Sequence, residues 1–203
     1  MKIDSGTRAH AEKLLRFIDA SPSPWHAVET VKRGLEENSF CELKESNAWS
    51  LEPGSRHYVV RDGSSIIAFV TGDQAPTKTG YRIIGAHTDS PGLRIKPNPV
   101  TRSGKMNRIG VEVYGGPILA TFTDRDLSLA GRVGIMDGSG GFRTQLVHID
   151  KPLLRLPNLA IHMNRKVNEK GLLLHIQNDL PLILSNSNGE DNDGKDFLNL
   201  LAR

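Results

Sequence analysis

Gly85-Ala86-His87-Thr88-Asp89-Ser90-Pro91-Gly92-Leu93 follows the apolar run Tyr81-Arg82-Ile83-Ile84. A short apolar run of this kind reads as a buried strand. His87 then stands at the strand's carboxyl end, where open α/β sheets build their sites. Residues i and i+2 of an extended segment point to the same side. Asp89 is therefore expected beside His87, holding the ring by a hydrogen bond. A carboxylate in that position fixes the tautomer of a metal-ligating imidazole. Such a pair would supply half of a catalytic zinc site, although His-x-Asp alone arises often by chance.

The 203 residues can hold one large domain or two small ones. A hydrophobic fraction of 37% and a charged fraction of 24% suit a soluble globular protein. The net charge is only +3, although the pI is about 9.1, so no nucleic-acid partner is expected. Arg94, Lys96, Arg102, Lys105 and Arg108 form the densest basic group, read as a solvated face rather than a phosphate patch. Cys41 is the only cysteine and cannot close an internal disulfide, which points to a reducing compartment. A small core residue is the expected role for it. The N-terminal segment lacks the apolar stretch of a signal peptide. No apolar run approaches the roughly 20 residues needed to span a bilayer. No membrane partner is expected, and the compartment is expected to be the cytoplasm.

Two helices open the chain. Ser5 or Thr7 is expected to cap the first, with Leu14, Leu15, Phe17 and Ile18 as its apolar stripe. Ser23 caps the second, with Pro24 in its first turn, and the spacing of Trp25, Val28, Val31 and Leu35 predicts helix to about Glu37. Tyr58-Val59-Val60 and Ile66 to Val70 flank Asp62-Gly63, a hairpin signal. Gly72 to Gly80 reads as a polar loop. Beyond Pro91 the pattern turns to short strands and Gly-rich turns up to about residue 160, with Asp137-Gly138-Ser139-Gly140-Gly141 as a hairpin turn. The boundary near Pro91 gives an α/β part over 1–91 and a β-rich part over 92–203. Ser185 to Lys195 reads as a mobile polar loop. Phe197 to Arg203 begins an apolar helical pattern. A chain that stops there is expected to be a truncated one; the alternative is a short terminal helix docked on the body.

Gly85 to Pro91 resembles the first metal motif of the aspartyl aminopeptidase family, a group of dinuclear zinc exopeptidases. Leu93-Arg94-Ile95-Lys96-Pro97-Asn98-Pro99 and Gly110-Val111-Glu112-Val113-Tyr114-Gly115-Gly116 are similar to the blocks that follow it in that family. Asp124-Arg125-Asp126-Leu127-Ser128-Leu129-Ala130-Gly131-Arg132-Val133 resembles a further block. So do Leu156 to Arg165, and the N-terminal Ser21-Pro22-Ser23-Pro24-Trp25-His26-Ala27. The blocks keep the family's order along nearly the whole chain.

The resemblance implies a zinc-peptidase-like α/β sandwich domain, begun by residues 1–91, and a β-rich dimerisation domain from residue 92 onward. It implies that His87 is a zinc ligand and that Asp89 is the catalytic-site carboxylate orienting it. It implies that His162 enters a partner subunit's active site to help bind substrate. The expected reaction is removal of an N-terminal, acidic residue from a peptide substrate, with two zinc ions per site in a homo-oligomer, a dimer or dodecamer in intact members. Thr121-Phe122-Thr123, Pro117 and Gly92 depart from the family pattern and bear on local packing.

The family's remaining metal carboxylates, its general-base Glu and its last His would follow the dimerisation domain, and no counterpart is found before Arg203. The lone Glu-Glu, Glu36-Glu37, sits at a helix end and reads as solvated. His148 reads as a structural strand residue. His10, His57 and His175 read as surface or edge positions, and His26 as lying near a helix start. The isolated chain is thus expected to be inactive. The competing readings are a non-catalytic oligomerisation module and one half of a split aminopeptidase.

Overall fold

The computed structural model describes residues 4–186 and 195–202. The loop expected over Ser185 to Lys195 falls largely outside the described residues, although Ser185 and Asn186 end a strand. Chain contacts divide the described residues into two compact units. One comprises the chain up to Ser90 together with Ala130–Leu146; the other comprises Pro91–Leu129 and the chain from Val147 onward.

In the first unit, α1 runs Ser5–Asp19 and α2 runs Pro24–Glu37. Asp4, rather than Ser5 or Thr7, caps α1: its carboxylate accepts from the Thr7 amide at 3.0 Å. An ionised cap satisfies an orphan amide and faces the helix dipole's positive end, which a hydroxyl does less well. The apolar stripe of α1 stays in water, with Leu14, Leu15 and Ile18 each more than half exposed. Ser23 caps α2 as expected, and Ala27 and Val28 are buried.

The sheet of this unit has the order β1-β2-β3, with β1 Cys41–Glu42, β2 Arg56–Arg61 and β3 Ser65–Val70. β1 is parallel and β3 antiparallel to β2. Asp62 and Gly63 sit at φ 48° and 65°, the left-handed pair that a tight hairpin turn requires. Cys41 is exposed on β1 rather than in the core. His57 lies on the central strand and is half-buried, not a surface position. Its Nε2 is 2.9 Å from Ser55 Oγ and its ring lies against Phe69. Glu36, read as solvated, accepts the Tyr58 hydroxyl at 2.6 Å and so ties the end of α2 to the sheet. Arg132 stacks over Trp25 and donates to Asp62 at 2.9 Å.

Tyr81 to Ile84 form no strand. Tyr81, Ile83 and Ile84 are 79%, 85% and 99% exposed. An isolated extended segment gains nothing from its propensity until its amides and carbonyls find a ladder partner. Within the preceding loop, Pro76–Thr79 make the single turn α3.

The second unit is built on β4 Gly92–Ser103 and β5 Met106–Tyr114. β6 Asp126–Met136 and β7 Phe142–Arg155 extend from it into the residues grouped with the first unit, and β8 is Leu182–Asn186. The sheet order is β4-β5-β8-β7-β6. β4 is an edge strand, which tolerates Pro97 and Pro99. Its register slips between Ile95 and Val100, where those residues lack the N–H for a ladder. α4 is the single turn Val167–Lys170, and α5 is Lys195–Leu201. Ile109, Val111, Leu154, Leu156, Leu180, Leu182 and Phe197 form the core. Phe197 is 5% exposed, so the terminal helix is docked on this core.

Asp124 takes φ 54°, uncommon for a non-glycine residue. Its amide donates to the Leu156 carbonyl at 2.8 Å and its carboxylate accepts the Asn158 amide at 3.1 Å. Arg155 donates to the Asp126 carboxylate at 3.1 Å and the Asp124 carbonyl at 3.2 Å. The Asp-Arg-Asp block therefore holds the start of the loop that carries His162.

Asp124→Val places a β-branched side chain at positive φ and removes the acceptor, so it should cost about 1–3 kcal/mol in denaturant unfolding. Asp124→Asn tolerates the conformation and keeps an acceptor, so it should cost less. Burial first, and the Glu36 carboxylate second, hold the Tyr58 phenol proton well above the usual tyrosine range. The folded state thus favours the protonated phenol. That stability is complete below the ordinary tyrosine value of about 10 and is lost as pH rises beyond it. Tyr58→Phe should lower stability by about 1 kcal/mol at neutral pH and flatten its decline above pH 10, as read by thermal melts across pH.

Candidate metal centre

The segment carrying His87 has no regular secondary structure and is anchored through Thr88. Thr88 Oγ1 donates to the Ser64 carbonyl at 2.8 Å, in the turn before β3. His87 Nδ1 lies 2.7 Å from the carbonyl oxygen of Asp89, and 3.3 Å from its carboxylate Oδ1. A carbonyl can only accept, so the contact places a proton on Nδ1; in the neutral ring the lone pair is then on Nε2. That is the tautomer a metal ligand needs. The sequence pairing of His87 with Asp89 is therefore present, but the shorter contact comes from the backbone of Asp89 rather than its carboxylate. The His87 side chain is 79% exposed and that of Asp89 39%.

The donor set is short. Among the described residues, no three His, Cys, Asp or Glu side chains group to hold a metal ion. Catalytic zinc sites use three protein ligands and a water. His87 fits one position of such a site, and this chain's described residues do not complete it. No chemical step can be routed through a metal on these residues alone.

The other histidines are elsewhere. His162 is exposed in a turn of the second unit, closed by the Met163 and Asn164 amides on the Ala160 carbonyl at 2.8 and 3.2 Å. Leu159, Ile161 and Met163 beside it are 56%, 45% and 73% exposed. His26 Nδ1 is engaged at 2.7 Å by Ser23 Oγ, and His175 Nδ1 accepts from the Asn178 amide. His148 lies on β7. A hollow of about 220 Å³ lies between Trp49, Phe69, Ile66, Ile67 and the Glu45–Arg61 ion pair. It is largely apolar and lacks His87. The basic residues of β4 are engaged individually: Arg94 stacks over Tyr114, and Lys96 donates to Gln177 at 3.1 Å. Among the described residues, no helix is long and apolar enough to cross a membrane.

Comparison with known proteins bears on this partial centre. The chain is 48% identical over 187 residues to a probable M18 family aminopeptidase 2 of Clostridium novyi (strain NT), covering 90% of this chain and 43% of that protein. It is 46% identical over 196 residues to the protein of that name from Pseudomonas syringae pv. syringae (strain B728a), covering 96% and 45%. The chain thus spans less than half the length of these relatives. Among solved structures, it superposes on a chain of the cryo-EM structure of the Ape4 and Nbr1 complex with TM-score 0.89 and 37% identity, over 100% of this chain and 41% of that one. The S. cerevisiae mApe1 dodecamer matches with TM-score 0.68 and 25% identity, over 87% and 48%. These structures share its mixed α/β fold. The family described as Aminopeptidase I zinc metalloprotease (M18) matches residues 17–201. This chain belongs to that family of zinc aminopeptidases.

Proposed function

We propose that this chain supplies the N-terminal part of a zinc aminopeptidase that removes N-terminal, acidic residues from peptides in the cytoplasm. His87 is one zinc ligand, and Asp89 orients it. The observation that carries this reading is the 2.7 Å contact of His87 Nδ1 with the Asp89 carbonyl, in a chain of a zinc-peptidase family. Zinc, two ions per site in the intact enzyme, would polarise the scissile carbonyl and make its bound water more acidic. The chain's own contribution is narrower: His87 presents Nε2, and Thr88 anchors the segment behind it.

Residues 1–91 are assigned to the catalytic domain and 92–203 to the dimerisation domain. His162 is assigned to the substrate site of a neighbouring subunit. Its exposure among Leu159, Ile161 and Met163 supports an interface role, as does the dodecamer of the S. cerevisiae relative. The second reading is a non-catalytic oligomerisation module. It is favoured by the second unit's own buried core, built without any residue of the first unit.

Purified chain given zinc and an aspartyl chromogenic substrate should show no turnover above the metal blank. Isothermal titration should find at most one weakly held zinc ion per chain, and His87→Ala should remove that binding. Robust turnover, or two tight ions on this chain alone, sinks the incomplete-centre reading. Zinc binding unchanged by His87→Ala removes the assignment of His87 and leaves the module reading standing.

A further inference from the structure

The turn between β2 and β3 is gripped by Arg132, which lies in the Ala130–Leu146 stretch grouped with the first unit. Arg132 Nη1 donates to the Asp62 carbonyl at 2.7 Å and to Asp62 Oδ1 at 2.9 Å, and Nη2 donates to Oδ2 at 3.3 Å. Its Cζ stands 5.0 Å from the centre of the Trp25 ring. A Cβ added at Gly63 would reach Trp25 Cδ1 at 3.5 Å and Arg132 Nη1 at 3.9 Å, so the turn rests against both side chains. The next residue, Ser64, accepts the Thr88 hydroxyl at its carbonyl, at 2.8 Å. Thr88 adjoins His87, whose Nδ1 is 2.7 Å from the Asp89 carbonyl. An unbroken series of contacts thus joins Trp25 and Arg132 to the backbone that carries the imidazole.

The hairpin does not need Arg132 in order to form. Its ladder runs from the pair Arg56 and Val70 to the pair Arg61 and Ser65, and the Ser64 amide closes the turn on the Arg61 carbonyl at 3.2 Å. The Asp62 side chain is 75% exposed, and ion pairs in water add little to global stability. What the guanidinium adds is position. Two donors on one residue and a flat face on an indole fix where the turn sits, which a lysine ammonium does less well. The Arg132 hydrogen bond, and then its charge, hold the Asp62 carboxyl below the usual carboxylate range, so the grip is present at neutral pH.

We propose that Arg132 is a positioning residue for His87: by gripping Asp62 it holds the Ser64 carbonyl in place, and through the Thr88 hydroxyl it fixes the backbone from which the imidazole projects. The inference rests on the aminopeptidase reading for what the imidazole is held to do; the positioning itself needs no metal.

The test uses the whole chain, metal-free, at about pH 8.5, where an ordinary imidazole is neutral. NMR reads the His87 ring nitrogens and the amide order parameters of residues 87–89. Wild type should show the Nδ1–H tautomer and order parameters near the rigid value of about 0.85. Thr88→Val and Arg132→Met should each move the two nitrogen signals toward those of a freely exchanging ring and take the order parameters below about 0.6. Thr88→Ser retains the hydroxyl and should keep the wild-type pattern. Arg132→Lys retains the charge without the fork and should fall between. Arg132→Met combined with Thr88→Val should be no looser than Thr88→Val alone, because both act through one bond. Ring signals unchanged by Arg132→Met, whatever its melting temperature, overturn the proposal, as does a double variant in which the two losses add. Should Arg132→Met fail to fold, a wild-type pattern in Arg132→Lys overturns it instead. Zinc titration is read separately. A wild-type chain that takes no zinc removes the aminopeptidase reading of His87 and leaves the positioning standing; zinc bound at His87, with ring signals unmoved by Arg132→Met, does the reverse.

Discussion

Ile109, Leu156 and Leu180 are almost completely removed from water, and Phe197 of the terminal helix closes the cluster around them. At roughly 25 cal/mol per Å² of apolar surface, that burial is the chief force ordering the second unit. Its consequence reaches the loop that carries His162. Leu156 is fixed in this core, and its carbonyl accepts the Asp124 amide, so the chain departing toward His162 starts from a rigid point. In the first unit the buried hydrophobics are Ala27, Val28, Tyr58 and Val59, small in volume apart from Tyr58. There the balance between apolar burial and chain entropy is closer. The Tyr58–Glu36 bond and the Arg132–Trp25–Asp62 contacts carry more of the order.

The proposed metal centre inherits this inequality. One imidazole with the correct tautomer offers a zinc ion a single nitrogen, whereas catalytic zinc takes three protein ligands. The shortfall is not a defect of His87, because the Asp89 carbonyl has already set its proton. The limit is the number of donors that this stretch of chain brings to one place. Family membership and the lack of a complete centre among the described residues are compatible because the chain spans less than half of its relatives.

Much of the fold was legible because it is written in local terms. The Ser23 cap with Pro24, the Asp62-Gly63 turn and the Gly-rich turn after Met136 each depend on a few neighbouring residues. What was not legible depends on distant partners. β8 lies between β5 and β7, a placement decided by Leu180 and Leu182 entering a core assembled from elsewhere. The Glu36–Tyr58 bond joins residues 22 positions apart, so a helix-end carboxylate looked merely solvated. At the site, the pairing of His87 with Asp89 was readable from i, i+2 spacing. The shorter contact with the backbone carbonyl was not, because i, i+2 spacing states only that the two side chains share a side.

Tyr81 to Ile84 show why apolar pattern and strand formation are separate matters. Pattern states which faces are to be covered; a ladder supplies the partners for the amides and carbonyls. Without the ladder, Ile84 stands in water, and the backbone leading to His87 is held chiefly by the Thr88–Ser64 bond. Ordering each residue of such a segment costs about 1–2 kcal/mol. On the proposed reading, a metal on His87 would have to supply that ordering energy from a single nitrogen–metal bond. In the proposed centre, the Thr88–Ser64 bond meets part of that cost beforehand, because it fixes the residue next to His87.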